Sequence, residues 1–286
     1  MNTAYTRFNL RFLLIAMAFF VLSAVSCATA ETDSENSLSA CQLPSFISGA
    51  DFLVFKSKTE PLGFDAHHVQ GIVVTEDHFI FTSVDKPSFA AWVFKLSRAD
   101  LALVDSRNVA DMMDFHPGGL DFDGRFLWIP VAVYSPDSHA NMVIADPETL
   151  RFKTVFEVHD HIGAAARIPG FIVGGNWSCE QFYFWDKDGI LIDKRESPTG
   201  VGYQDCKGEY GCLMCTGGGY LDWIDPAEWK LVKRFVLGES DLGSPLSREG
   251  GALLGESVFF LPDDGAEGRI YEYGFAAAGE GDNSGE

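Results

Sequence analysis

The chain repeats itself. A small residue followed by a short, mostly apolar stretch recurs at Gly71–Val74, Gly119–Phe122, Gly163–Ala166, Cys206 in a weaker copy, and Gly251–Leu254. The steps between markers are 48, 44, 43 and 45 residues. A period of this length belongs to units that cannot bury a hydrophobic face alone and stack to share a core. A second marker keeps the same phase: Leu96–Leu101, Ala145–Leu150, Trp185–Gly189 and Ile224–Trp229. Three of the four are built on Asp-Pro or Asp-Lys-Asp-Gly. These are turn formers, because Asp bonds back to its own backbone, Pro presets φ and Gly accepts positive φ.

Each period holds four short runs rich in Val, Phe, Ile and Trp, the composition of strands. In the first unit they are 71–75, 78–84, 91–96 and 101–105. The second gives 119–122, 126–133, 141–145 and 152–158, and the third 163–168, 171–175, 181–185 and 190–194. The fourth runs from Tyr203 to Leu237 in the same way. The fifth has only three, 251–255, 257–261 and 269–275. Its missing outer strand has a donor in Phe52–Phe55, which precedes the first unit without a partner there. Closing the ring with that strand hides two edges that would otherwise invite aggregation. The expectation is an all-β, five-bladed β-propeller over 45–275, with the N-terminal strand completing the last blade. A β-sandwich would leave five in-phase copies unexplained.

The ends read differently. Arg7 and Arg11 precede an unbroken apolar run, Phe12–Leu22, too short for a membrane span and right for a signal-peptide core. Residues 1–30 are therefore expected to be a signal peptide, cleaved after Ala28-Thr-Ala30. Ala24–Cys27 is a loose lipobox, and lipidation at Cys27 is the competing reading. Residues 31–44 read as a flexible leader and 276–286 as a disordered tail. The expected address is exported, periplasmic or extracellular.

The whole chain has 21 Lys+Arg against 41 Asp+Glu, a net of −20. The first thirty residues hold two basic and no acidic residues, so the remainder stands at −22. Such an acidic chain is unsuited to phosphate backbones or anionic lipid heads, which need clustered cations. No nucleic-acid partner and no membrane span are expected, and the chain is expected to be a monomer.

In a propeller, the loop entering each innermost strand opens on one face of the central channel. Those loops carry His67, His68 and Gln70, then His116, Asp160 and His161, Gln204 and Asp205, and finally Arg248 and Glu249. The loops between second and third strands open on the same face. They add Asp85 and Lys86, Tyr134 and His139, Trp177 and Glu180, and Asp263 and Asp264. His68, His116 and His161, with nearby carboxylates, suit a borderline divalent cation such as Zn or Mn that keeps a position open. Asp160 and Asp205 offer a carboxyl pair for acid/base work on a sugar. Tyr134 and Trp177 offer an aromatic wall to a small organic ligand.

Among the six cysteines, Cys206 and Cys215 stand opposite each other in a hairpin centred between Tyr210 and Gly211. They form a cross-strand disulfide or two facing thiols. Read as metal ligands, Cys206, Cys212 and Cys215 fit poorly, since strand alternation sends Cys212 and Cys215 to opposite faces. Cys41 and Cys179 have no clear partner.

At His67–Ile72, His116–Phe122, Asp160–Gly163 and Gln204–Cys206 the chain resembles an uncharacterised family of exported propeller-like proteins found in bacteria and fungi. That resemblance covers nearly all of 50–275. It implies export and a β-propeller, and supplies no reaction. More loosely, the chain is similar to exported propellers of the gluconolactonase kind. Those are six-bladed and hold a divalent cation through Glu, Asn and Asp.

The leading expectation is an exported propeller binding a small molecule at the channel mouth, with a divalent metal as the implied cofactor. Two alternatives use the same face. One is a metal-assisted hydrolase of lactones, phosphoesters or glycosides, and the other a non-catalytic protein-interaction platform.

Overall fold

The structure is a computed structural model that describes residues 38–278. The signal-peptide region, Cys27 and most of the acidic tail lie outside the described residues. Apart from one helical turn, Ser45–Ser48, the regular elements are strands.

Five sheets carry the repeat. The first blade runs His68–Val74, His78–Asp85, Ala90–Ser97 and Leu103–Asn108 from the axis outward. The third is Ile162–Ile168, Phe171–Asn176, Gln181–Trp185 and Leu191–Glu196. The fourth is Tyr203–Glu209, Cys212–Gly217, Tyr220–Asp225 and Lys230–Val236. In the fifth, Gly250–Leu254, Ser257–Leu261 and Tyr271–Ala276 are completed by Phe52–Lys58, which pairs antiparallel with Tyr271–Ala276. Ala276 is therefore the last residue of a strand, although it was expected to open the disordered tail.

The second blade departs from the expected pattern. Its inner strand starts five residues early and is split into Asp114–Pro117 and Asp121–Phe122, both paired with Leu127–Val133. At the break, Gly119 leaves its own blade: its N–H donates to the Gly163 carbonyl at 2.8 Å, and its carbonyl accepts from Ala165 N at 3.0 Å. Pro117 has no N–H to extend a ladder, and the glycines beyond it let the chain approach the axis.

Strand alternation divides the core into five clusters, one between each pair of adjacent blades. Phe79 and Phe81 pack toward the fifth blade with Phe259 and Leu261, while Ile80 between them packs toward the second with Leu127 and Ile129. Phe182 and Phe184 face the fourth blade, and Tyr183 and Trp185 the second. The inter-strand turns also repeat. Leu101, Leu150, Gly189 and Trp229, each late in its turn, adopt φ of 59°, 50°, 80° and 50°. The leading Asp does the bonding expected of it: Asp146 Oδ1 accepts from Glu148 N and Thr149 N, and Asp225 Oδ1 from Ala227 N and Glu228 N.

Two disulfides are present. Cys206 pairs with Cys215 across the hairpin, and Cys41 with Cys212. The second bond removes the metal-ligand reading of Cys212. It also corrects the flexible leader for 38–44: Cys41 is bound to the fourth blade, and Gln42 N donates to the Tyr210 carbonyl at 3.0 Å. Cys179 is a buried free thiol, pushed up to about 12 by burial.

Candidate functional site

One irregularity recurs where the inner strands leave the entering loops. In the first four blades the register slips at the same place, between Val69 and Gly71, Asp114 and His116, Ile162 and Ala164, and Tyr203 and Asp205. Each slip is a one-residue bulge, which bends a strand and re-aims the side chain it displaces. The extra residues are Gln70, Phe115, Gly163 and Gln204. Three of these four line a cavity of about 200 Å³ at the channel mouth.

Every blade contributes to that cavity. The first supplies His68 and Gln70, the second His116 and Tyr134, the third His161 and Trp177, the fourth Gln204 and the fifth Glu249. Tyr203 and Gly163, which the loop argument did not single out, also line it. Their signal in the sequence is only that they adjoin Gln204 and His161.

The aromatic half is tightly grouped. The His116 ring lies 4.2 Å from Tyr134, 5.1 Å from His161 and 5.4 Å from Trp177, and His161 lies 4.5 Å from Trp177. Lys86 Nζ sits over the Tyr134 ring at 3.9 Å. Burial, then the neighbouring His161, His68 and Lys86, lowers His116 to about 3, so the ring is neutral at ordinary pH. Burial likewise lowers His161 against its two carbonyl contacts.

Hydrogen bonds fix which nitrogen of each neutral ring keeps its proton. The Gln70 amide donates through Nε2 to the Val69 carbonyl at 2.8 Å, which leaves Oε1 facing His116 Nε2 at 3.0 Å. An amide oxygen only accepts, so His116 is protonated at Nε2 and bears its lone pair at Nδ1. That Nδ1 is buried with no hydrogen-bond partner among the described residues. In His161, Nδ1 lies 3.0 and 3.1 Å from the carbonyls of Val133 and Ser135, so Nδ1 donates and Nε2 bears the lone pair.

The acidic half centres on Glu249, which is buried, and Asp264, half-buried. His68 Nδ1 is 3.1 Å from Asp264 and 3.8 Å from Glu249. Arg248 donates to Asp264 at 2.7 Å and stands 3.4 Å from Glu249. One guanidinium faces two carboxyls. Burial pushes Asp264 up, but the hydrogen bonds from His68 and Arg248 outweigh it and hold the group below its ordinary value. Glu249 is raised well above its ordinary value by burial, with Arg248 opposing.

The remaining expected residues lie elsewhere. His67 is held by Asp65 and Asp85 at 3.5 and 3.9 Å, outside the cavity. Asp160 accepts from the Tyr183 hydroxyl and from His161 N. Asp205 lies deep in the channel on Lys207 and accepts from Ile72 N at 3.3 Å. Neither Asp160 nor Asp205 lines the mouth cavity, so the carboxyl pair expected for sugar chemistry is not assembled there. Arg248 acts through its two carboxyl neighbours. The three histidines share the cavity but not one coordination sphere. Among the described residues, the donor atoms that gather within 4.8 Å of one another belong to His68, Glu249 and Asp264.

Five four-stranded blades around a mouth pocket built from all of them define the class: a β-propeller with an axial site. Within that class, the chain belongs to the Family of unknown function (DUF6454), which matches residues 50–220. Among solved structures it is similar to glutaminyl cyclase from Myxococcus xanthus, at 15% identity and a TM-score of 0.58, over 79% of this chain and 97% of that one. Virginiamycin B lyase from Staphylococcus aureus aligns at 10% identity and a TM-score of 0.42, over 72% and 66%. At 15% identity the likeness to the glutaminyl cyclase carries the fold and no activity. No curated protein sequence matches the chain.

Proposed function

We propose that this is an exported propeller that binds a small polar molecule in the mouth cavity, at the face carrying His68, His116 and His161. The observation that carries the reading is His116 Nδ1, a buried acceptor with no partner in a residue that lines a cavity. Leaving such a group unpaired costs ~1–3 kcal/mol, which a bound donor recovers. The fitting ligand donates hydrogen bonds to His116 Nδ1 and His161 Nε2, and lays a flat portion against Trp177. The space equals that of roughly seven waters at ~30 Å³ each, so the ligand is small. Export is supported by the two disulfides, which persist in oxidising compartments.

A second reading places a divalent cation at His68, Glu249 and Asp264. One nitrogen and two carboxyl oxygens are a fitting donor set for Zn or Mn. The same carboxyls, however, already face Arg248, and burial opposes the ionised form of Glu249. A cation would have to displace the guanidinium, so the organic ligand is the favoured occupant.

Both readings are tested on untagged, chelator-treated protein. A panel of polar metabolite-sized molecules is screened by thermal shift, and ZnCl2 and MnCl2 are titrated calorimetrically. The ligand reading expects a hit that is lost in His116→Phe and Trp177→Ala, each shown to be folded by circular dichroism. Hits indifferent to both substitutions, or none at all, overturn it. A cation site expects tight metal binding that disappears in Glu249→Gln and Asp264→Asn.

A further inference from the structure

The inner strands that begin at the histidine face end at the opposite one, where they enclose a second cavity of about 330 Å³. Val73, Phe122, Leu253 and Leu254 form most of an apolar wall drawn from three blades. Four ionisable residues lie in the same lining: Glu76, Asp121, Lys207 and Glu209.

Two of these are committed to the fold. Lys207 donates to Asp205 and to the Leu120 carbonyl, fully buried. Asp121 accepts from the backbone N–H groups of Phe122, Arg167 and Gly208, at 2.7, 2.7 and 2.9 Å, and so joins the second blade to the third and fourth. Glu209 is different. It is half-buried, and its carboxyl has no hydrogen-bond or ion-pair partner among the described residues. Burial, with a smaller push from Asp121 and an opposing pull from Lys207, raises it to about 7. Tyr210 stands beside it, and Glu76 occupies the rim, exposed and equally unpartnered. The lining therefore holds an uncommitted acid, apolar walls and no uncommitted cation. That combination is complementary to a molecule with an apolar body and a protonated amine.

We propose that this cavity is a second ligand site, on the face opposite the histidines, which takes small hydrophobic amines with the ammonium group on Glu209. Lys207 and Asp121 form its floor without meeting the charge, because their hydrogen bonds are already made. The site is independent of the mouth cavity, and neither needs the other.

The test uses 2-phenylethylamine, with 2-phenylethanol and 3-phenylpropanoate as matched neutral and anionic probes, titrated calorimetrically into the folded chain at pH 8. The amine is expected to bind, and the alcohol and acid to bind at least ~10-fold more weakly. Glu209→Gln, which keeps the shape, should weaken the amine ~10-fold or more, and Leu253→Trp should block it by filling the cavity. Only ionised Glu209 pairs with the ammonium, so affinity should fall at least ~10-fold between pH 8 and pH 5.5. Methyl resonances of Val73, Leu253 and Leu254 should shift on binding, while the Trp177 indole stays fixed. The proposal is overturned by equal binding of amine and alcohol, by binding that survives Glu209→Gln, or by shifts at Trp177 instead of the leucines. No heat from phenylethylamine or hexylamine up to ~10 mM overturns it as well. If Leu253→Trp does not fold, Glu209→Gln and the resonances decide.

Discussion

At the scale of single residues, the most consequential group is a histidine that stays neutral. His116 titrates near 3 in the folded chain because burial penalises its charged form, whereas the unfolded value is 6.5. Between those values the unfolded chain binds a proton that the native state refuses. The sign follows from linkage: His116 takes stability away as the pH falls below 6.5, by up to ~1.4 kcal/mol per unit. Glu249, Glu209 and Asp205 pull the other way, since raised carboxyls contribute stability at acid pH that is lost as pH rises through their folded values. The separate contribution emerges from comparing the parent with His116→Asn by urea unfolding at pH 7 and pH 5. Relative to the parent, the variant should gain up to ~2 kcal/mol on going to pH 5. A difference that does not change with pH would mean that His116 is protonated in the native state. Nitrogen-15 shifts of the parent should likewise keep His116 as the Nε2–H tautomer down to pH 4.

At the scale of the strand, several of the glycines on the inner strands have a physical cause. The inner strands meet so closely at the axis that a Cβ on Gly71 would stand 2.7 Å from the Gly119 Cα, and one on Gly208 would overlap the Arg167 carbonyl oxygen at 1.6 Å. Gly163 is different, since its Cβ would meet nothing nearer than 3.5 Å. Gly208→Ala should therefore cost more than ~3 kcal/mol or abolish soluble expression, because two backbones must part. Gly163→Ala should cost less than ~1 kcal/mol. Denaturant midpoints of the two variants check this, and equal losses would refute the axial-crowding account. The spacing of such residues, with turns in the same phase, is what made five blades and the closing strand readable from the sequence. Depth was not readable. Asp205 stands directly before the Cys206 marker, in the stretch expected to be an entering loop, yet the strand already begins at Tyr203 and the bulge at Gln204 leaves Gln204 at the mouth and Asp205 on Lys207. The same slip turns Gln70 into the cavity. A bulge leaves no compositional trace, because it is the partner strand that decides whether one residue or two fill a register position. The opposite cavity was hidden for a related reason. Its walls are ordinary apolar strand ends, and only the assembled ring brings 73, 122 and 253 together.

At the scale of the whole molecule, the ring is closed twice near the same end of the chain. Phe52–Lys58 completes the fifth blade through main-chain bonds, and Cys41 is held covalently to Cys212 in the fourth. These locks sit on adjacent blades, so opening the ring from its N-terminal end requires both to release. The two disulfides should differ accordingly. Cys41–Cys212 spans 171 residues, and Cys206–Cys215 spans 9 within a hairpin that its own ladder already holds. In the chain-entropy treatment, the long link is worth ~5 kcal/mol and the short one ~2.5 kcal/mol. Cavity effects narrow this gap, since the hairpin pair removes two buried sulfurs, Cys206 and Cys215, and the long link only one, Cys212. Replacing Cys41 and Cys212 by Ala should therefore lower the denaturant midpoint more than replacing Cys206 and Cys215. It should also expose 38–44 to limited proteolysis while the blades stay folded. Reduction of the parent should reproduce the larger effect. If the hairpin pair proves the more costly to lose, the N-terminal link is not a ring lock, and closure rests on the Phe52–Lys58 ladder alone.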